Sequence, residues 1–507
     1  MKYKILVFLG AACWVTSSCN EDLLDKVNPN DYSLETFYRN AAQSLEAVNA
    51  VYAGLQANNL YNREYFFLHD LLSDDCQGGG AQLEAPRGQV LNYVFDGSNK
   101  LVNDVWQGLY RIVHRANLVI ANVPNASENI TDDLKNRIVG EARFLRAWAY
   151  FDLVSLWGAV PLLTEIATTP EGTPRASSET AIYEVIMADL AFAEQHLPDK
   201  GGYAESDKGR AVKQAAQALM ARVILFQTQD YAAAQAQLQK VIDFANSHPD
   251  QLGLTARFLD NFQEENENNV ESIFEVQFSE AFGTNDAWNG DGRGVAEITF
   301  RGQEYGPNAW RNVIPSDGLV AEFEANDPRS VYSFYRIGDL FNNESDTLTT
   351  SDVQGNTEKP SWKKYQMIYK RANEELQSGI NFRVIRYADV LLMMAECMIQ
   401  QGNVTGALGY MNQVRDRADV MMPHYPTAEY PCSTPQEAMT ALIHERRVEL
   451  AGEQIRNRDI RRWRKAEIID IRPSSNYQAN KHELLPIPFV EIDNNSALEP
   501  SDQNPGY

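Results

Sequence analysis

A mainly α-helical fold is predicted for this 507-residue chain on three observations. Nine segments carry apolar residues at the 3.6-residue helical period. Short turns join several of them. Two windows close to 34 residues long, Gln214 to Ala245 and Tyr387 to Ala418, each hold a helix, a turn and an Ala-rich second helix, the spacing of tetratricopeptide-like helix pairs.

The first segment, Glu35 to Gln56, places Phe37, Ala41, Leu45, Val48, Val51, Tyr52 and Leu55 on one stripe. Trp106 to Val123 follows with Leu109, Tyr110, Ile112, Val113, Ala116, Asn117 and Ile120. In Asp133 to Leu156, Ile138, Ala142, Leu145, Ala149 and Leu153 recur at spacings of three and four, and Gly158 and Pro161 stop the helix. Further helices are read over Ala181 to Leu197, Arg210 to Gln227, Tyr231 to Ala245, Val384 to Gln400, Val404 to Ala418 and Pro435 to Gly452. The turns Thr228 to Asp230 and Gln401 to Asn403 are too short for anything but antiparallel neighbours.

Two stretches break this pattern. Residues 74–103 include Gly78, Gly79 and Gly80, and residues 246–380 are rich in Gly, Asn, Asp and aromatic residues, with only short strand-like pieces such as Ser272 to Phe278. Loops of this length inside a compact protein usually carry function. No Gly/Ser-rich or Pro-rich linker separates them from the rest, so residues 19–507 are read as a single domain.

Residues 1–18 read as an export signal. Met1 to Lys4 is basic, and Ile5 to Val15 is an apolar run too short to span a bilayer, which needs about 20 residues. Thr16, Ser17 and Ser18 lead into Cys19, the arrangement of a lipoprotein signal in which Cys19 is acylated; an ordinary secretory signal is the alternative. Asn20, Glu21, Asp22, Asp25, Asn28, Pro29 and Asn30 follow as a polar stalk. Several acyl chains on Cys19 would hold the protein firmly, since each buried methylene contributes about 0.8 kcal/mol.

Composition narrows the chemistry. A formal charge of −24 repels phosphate backbones, so nucleic acid is not expected as a partner. The cluster Arg456, Arg458, Arg461, Arg462 and Arg464 has Glu445, Glu449, Glu453 and Asp459 close by and reads as internal salt bridging. Cys76, Cys397 and Cys432 make neither a disulfide scaffold nor a zinc motif, and allow one disulfide at most. There is no G-x-S-x-G elbow, H-E-x-x-H or Walker loop, and the seven histidines show no metal-ligand spacing. Asp286, Asn289, Asp291 and Gly292 lack the spacing and distal glutamate of a calcium loop. No metal, cofactor or catalytic residue is assigned. A carboxylate pair across a cleft leaves no sequence motif, so a glycoside hydrolase stays open as an alternative; Glu445, Glu449 and Glu453, one helical turn apart, read rather as a structural network with Arg446 and Arg447.

Binding without chemistry asks for exposed rings and planar polar side chains on loops. Sugar C–H faces stack on Trp and Tyr, and hydroxyls are fixed by Asp, Asn and Arg. Trp288, Asn289, Arg301, Tyr305 and Trp310 lie within 23 residues, and Asp74 and Arg87 sit in the earlier loop. These seven are the candidate ligand residues.

Several motifs together, in order along the whole chain, resemble the SusD/RagB family of glycan-binding lipoproteins of Bacteroidetes. They include Cys19 with Leu23, Leu24, Asp25 and Pro29; Trp106, Leu109, Tyr110, Ile112, Ala116 and Asn117; and Gly140 to Ala147 with Tyr150, Phe151, Trp157, Gly158 and Val160 to Leu162. Arg175 to Ser177, Tyr183, Asp189, Leu190, Lys208 to Ala211, Arg386 to Leu392, Glu445 to Arg447, Glu449, Leu450, Leu485 to Pro488, Glu491, Ile492 and Gln503 to Tyr507 complete the likeness. The resemblance implies a scaffold of four tetratricopeptide-like units with a loop-rich ligand face. It also implies an outer-membrane, surface-facing protein that binds oligosaccharide without catalysis and hands it to a SusC-like TonB-dependent transporter. A peptide-binding helical-repeat lipoprotein is a further alternative, because some relatives accompany peptide importers.

Overall fold

The computed structural model describes residues 37–80, 82–166, 171–282 and 297–507. Its long helices are α1 (Ala41–Leu55), α2 (Glu64–Leu71), α3 (Ala85–Leu91), α4 (Lys100–Asn122), α5 (Asp132–Trp157), α6 (Glu179–His196), α7 (Lys213–Gln227) and α8 (Tyr231–Ser247). After the loop-rich region, which holds the short helices α9 (Arg301–Tyr305), α10 (Asp317–Glu322) and α11 (Pro328–Ser333), come α12 (Tyr387–Gln400), α13 (Val404–Arg415), α14 (Pro435–Glu449), α15 (Arg456–Lys465) and α16 (Phe489–Asn494).

Helices α1 and α4, α5 and α6, α7 and α8, and α12 and α13 pack as pairs, and α4 on α5, α6 on α7 and α8 on α12 join one pair to the next. These are the four helix pairs that the resemblance implies. The apolar stripes read from sequence form the contacts: Val48, Val51 and Leu55 of α1, Leu109, Ile112 and Ala116 of α4, and Ile138, Ala142, Leu145 and Leu153 of α5 are buried in one core. Helix ends follow local chemistry. The Thr131 side chain accepts from the Leu134 amide while Asp132 and Asp133 face the positive end of α5, and Gly158, at φ 76°, closes it. Thr434 and Glu437 form a reciprocal capping box on α14, with Pro435 at its first position.

Four two-stranded antiparallel sheets complete the described structure. Strand β1 (Cys76–Gly78) pairs with β3 (Val313–Pro315), and β2 (Ser272–Val276) with β8 (Phe382–Arg386); β4 (Phe334–Tyr335) pairs with β7 (Ser361–Trp362), and β5 (Leu340–Phe341) with β6 (Asp346–Thr347). The helix expected over Val384 to Gln400 is therefore a strand up to Arg386 and a helix from Tyr387: the β-branched Val384 and Ile385 pair with β2 before the chain turns. Cys76, Cys397 and Cys432 are buried free thiols, so none of the three forms a disulfide. Residues 1–36, with Cys19, lie outside the described residues.

The carboxylate and arginine clusters lie inside. Glu445, Glu449 and Glu453 of the α14 region are buried. Arg386 reaches Glu271, Glu449 and Glu453, each at 2.7 Å; Arg329 reaches Glu445 at 2.5 Å; Arg417 reaches Glu449 at 2.9 Å; and Lys364 reaches Glu453 at 2.7 Å. Burial alone would raise the Glu449 carboxyl, but Arg386, Arg417 and Arg329 outweigh it and hold it at about 2. In the arginine-rich segment, Arg446 binds Asp389 and Asp459, and Arg462 binds Asp459 and Glu396. The salt bridging read from sequence is present with other partners. Glu445, Glu449 and Glu453 pair with Arg329, Arg386, Arg417 and Lys364 rather than with Arg446 and Arg447. In the arginine cluster Arg456 takes Asp74 and Arg458 takes Asp152, with Asp459 left to Arg462 and Arg446.

Candidate functional site

The β1–β3 pairing, with register Cys76 to Pro315 and Gly78 to Val313, brings the two loop-rich stretches together. The pairing continues past the strands: the Gly79 amide donates to the Asn312 carbonyl at 3.1 Å and the Gly80 amide to that of Arg311 at 2.6 Å. This closeness explains the glycine run. A Cβ on Gly79 would lie 2.4 Å from the Arg311 carbonyl oxygen, and one on Gly80 2.5 Å from that of Trp310. Gly355, at φ +73°, brings a third loop in, its Cβ position being 2.7 Å from the Gly79 carbonyl oxygen.

Arg311 ties the three loops. Its buried guanidinium donates from Nε to Ser361 Oγ at 2.7 Å, from Nη1 to the carbonyls of Gln354 (2.6 Å) and Asn356 (3.0 Å), and from Nη2 to those of Lys359 (2.6 Å) and Pro360 (3.3 Å). All five N–H groups are used on neutral oxygens. Burial without a facing carboxylate lowers its pKa to about 10. Trp310, the preceding residue, is partly exposed on this face, and its amide donates to the Gln303 carbonyl at 3.0 Å. Asn308 donates to the Ala372 carbonyl at 2.9 Å, while its buried Oδ1 lacks a hydrogen-bond partner among the described residues. Exposed Gln354 and Asn356 lie on the adjoining loop. The arrangement offers a half-open ring and planar amides on a braced surface, which is suited to stacking and hydroxyl recognition.

Of the seven candidate residues, Trp310 is the one at this face. Trp288 and Asn289 lie outside the described residues. Three are corrected to interior roles. Arg87 is buried against Glu64 at 2.7 Å and stacks over Phe67 at 4.0 Å. Arg301 is buried against Asp70 at 2.9 Å, and Tyr305, also buried, donates to the same carboxylate at 3.0 Å. Desolvation forces a buried guanidinium to find an anion, and here protein carboxylates fill that place. Asp74 is half-buried, bound by Arg456 at 2.8 Å and Arg447 at 3.3 Å. Burial would raise its carboxyl, yet these arginines pull it below its ordinary value. Sequence reasoning passed over Asn308 and Arg311; their signal was the tract Gly306-Pro307-Asn308 opposite the glycine run.

Among the described residues, no group of three or more His, Cys, Asp or Glu side chains could hold a metal ion. No helix among them is long and apolar enough to cross a membrane.

Comparison with known proteins agrees with the resemblance. The SusD family profile matches residues 228–507, and a second, described as starch-binding associating with outer membrane, matches residues 22–225. The chain is similar to SusD-like protein P25 of Formosa agariphila, 27% identical over 99% of this chain and 98% of that protein. It is also similar to SusD-like protein P2 of the same organism, 29% identical over 93% of this chain and 94% of that protein. A solved structure described as a laminarin binding SusD-like protein superposes with a TM-score of 0.76 at 26% identity, covering 93% of this chain and all of that one. From its first helix pair to its C-terminal motifs, the chain belongs to the SusD family.

Proposed function

We propose that residues 19–507 act as one non-catalytic, surface-exposed glycan-binding lipoprotein, anchored in the outer membrane through Cys19. It captures an oligosaccharide on the Trp310 face and delivers it to a SusC-like TonB-dependent transporter. The observation that carries the binding reading is the braced, partly exposed Trp310 where three loops meet, in a family that includes a laminarin binding relative. The carboxylates that a hydrolase could have used, Glu445, Glu449 and Glu453, are buried and held by arginine or lysine, out of reach of a glycosidic bond. Export and tethering rest on the signal-like start and the small-residue tract before Cys19.

A stacking site of this kind gives affinities between roughly −4 and −8 kcal/mol, or millimolar to micromolar dissociation. Tethering beside the transporter offsets that weakness by raising the local concentration. The test is calorimetric titration of the soluble protein with laminarin, starch, cellulose and mannan oligosaccharides, and with a tripeptide library. Parent protein binding one glycan, and folded Trp310→Ala binding it at least about tenfold more weakly, is the expected result. Equal binding by the variant, release of shorter sugars by the pure protein, or binding of peptides alone contradicts the reading.

A further inference from the structure

A cavity opens between the α6–α7 loop and β2, and none of its lining residues belongs to the loops around Trp310. Its volume is about 450 Å³, within the range of small-molecule sites. The loop between α6 and α7 forms one wall, with Tyr203, Lys208 and Val212, and β2 forms the other, with Ser272, Ile273 and Phe274. A second cleft of about 300 Å³ adjoins it across Lys208, Gly209, Arg210 and Glu275, which line both.

Three features select an occupant. First, the charges cancel. Lys200, Lys208 and Arg210 face Glu205, Asp250 and Glu275 around the cavity, within a chain of net charge −24. A charged ligand gains no net field there.

Second, the strand at its wall is poorly placed to accept a peptide by strand addition. One side of β2 pairs with β8. The carbonyls of Ser272, Glu275 and Gln277 already accept from Lys200 Nζ, Gln277 Nε2 and Gln56 Nε2, which blunts the strand as a template. The Lys200 ammonium also binds the Asn269 carbonyl at 2.6 Å, which fixes this wall.

Third, the mouth keeps unused polar groups. Arg210 is consumed by Asp207 at 2.7 Å and Glu141 at 3.0 Å, and Glu275 by Arg383 at 3.3 Å. Exposed Lys208 has only Glu205 at 3.5 Å, and the side chains of Asp250 and Gln251 are without hydrogen-bond partners among the described residues. Beside them the Tyr203 ring is braced, its hydroxyl donating to the Ala211 carbonyl at 3.0 Å and the Arg137 guanidinium lying 5.3 Å from its centroid. A fixed ring and apolar wall next to free amide, carboxylate and ammonium groups suit a ligand with C–H faces and neutral hydroxyl edges.

We propose that this cavity is a second carbohydrate site, which takes a neutral mono- or disaccharide unit against Tyr203 with hydroxyls held by Lys208, Asp250 and Gln251. It stands apart from the Trp310 face and does not rest on that face binding anything.

The test uses the soluble protein with maltose, cellobiose, laminaribiose and mannobiose as probes, in soaked crystals and by saturation-transfer NMR. The expected result is one of these disaccharides in the cavity in crystals of both the parent and Trp310→Ala. The dissociation constant, measured in the Trp310→Ala background where the first site is silenced, should be raised at least about tenfold by adding Lys208→Ala and Asp250→Ala. The Lys208 and Asp250 side chains are exposed, so adding these two substitutions should leave the melting temperature unchanged. Tyr203→Phe, which keeps the ring, should bind as the parent does. An empty cavity at saturating probe, disaccharide binding lost in Trp310→Ala, or equal binding after Lys208→Ala and Asp250→Ala are added would overturn the proposal. Oligosaccharide binding by Trp310→Ala equal to the parent's, with the cavity still occupied, would sink the first site and leave this one standing.

Discussion

Arg386 and Arg311 are both buried arginines with every donor placed, yet they solve opposite problems. Arg386, where β8 meets the helical scaffold, is ringed by Glu453, Glu449 and Glu271; burial would lower its pKa, and those carboxylates drive it well above the ordinary value instead. Arg311, in the loop layer, meets carbonyls and one hydroxyl, and burial lowers its pKa to about 10. The scaffold uses arginine as charge compensation for carboxylates it cannot otherwise bury. The loop face uses arginine as a five-pronged tie whose geometry, not whose charge, holds three segments in register.

The largest consequence falls on the scaffold. Arg386→Ala would leave Glu271, Glu449 and Glu453 facing one another, with Arg417, Arg329 and Lys364 as the remaining cations. Removing one member of a buried ionic network costs about 3–5 kcal/mol. Denaturant unfolding should show that loss, with glycan affinity of the surviving folded fraction unchanged. A drop below about 1 kcal/mol would mean that the network is solvated and the comparison false.

Arg311→Ala should do the reverse. Four carbonyls and Ser361 Oγ lose their donor, but they lie in surface loops where water can replace part of it, so the stability cost is about 1–3 kcal/mol. The larger change should be local: faster amide exchange over residues 354–361 and weaker glycan binding, because the loop beside Trp310 loses its tie. Arg311→Lys should not rescue either property, since an ammonium cannot span both arms of the fork. Unchanged exchange in that segment would remove the tie from the account.

How far sequence carried depends on the same contrast. Helices α1, α4 and α13 were legible because one face of each meets water, which writes a 3.6-residue period into them. Helix α2 was missed since Glu64 to Leu71 is buried on all sides and shows no stripe. Helix α15 was hidden for a related reason: Arg456, Arg458 and Arg462 point inward to carboxylates, so its buried face reads as polar. The loop site was the least legible part. Arg87, Arg301 and Tyr305 are the residue types that bind sugars, but residue type does not tell which carboxylate lies within reach. Asp70 and Glu64, distant in sequence, decide that these side chains face inward. Trp310 is set apart by the residue after it.

A smaller effect tests the scaffold through pH. His444 is buried between Glu322 at 2.9 Å and Glu324 at 3.4 Å, under the Tyr430 ring, with Glu445, Arg415 and Arg447 nearby. Burial alone would lower its pKa, but the two glutamates outweigh burial and raise it to about 9. The folded state thus holds the proton more tightly than the unfolded chain, whose histidine titrates near 6.5. Its stabilisation is full below pH 6.5 and fades as pH rises through about 9. Between those limits unfolding free energy should fall by on the order of 2 kcal/mol, while His444→Gln should show a flatter profile. Parallel profiles would mean that the imidazole is neutral in the fold.

The smallest change separates scaffold from face most cleanly. The Thr434 side chain accepts from the Glu437 amide at 3.2 Å, and Glu437 answers by accepting from the Thr434 amide at 3.2 Å, so Thr434→Ala removes the first bond and leaves the second, which the backbone donates. Thr434→Ala should cost about 1 kcal/mol. The cap is exposed and starts α14, the helix that carries Glu445 and Glu449 into the core. Fraying there should stop within the first turn, since Ala438, Ala441 and Leu442 are packed in the core beyond it. A lowered melting temperature with no change at the Trp310 face would show that the face depends on its own ties. Coupled loss of glycan affinity would show instead that the loop layer takes its shape from α14, and that Arg311 only records a register set elsewhere.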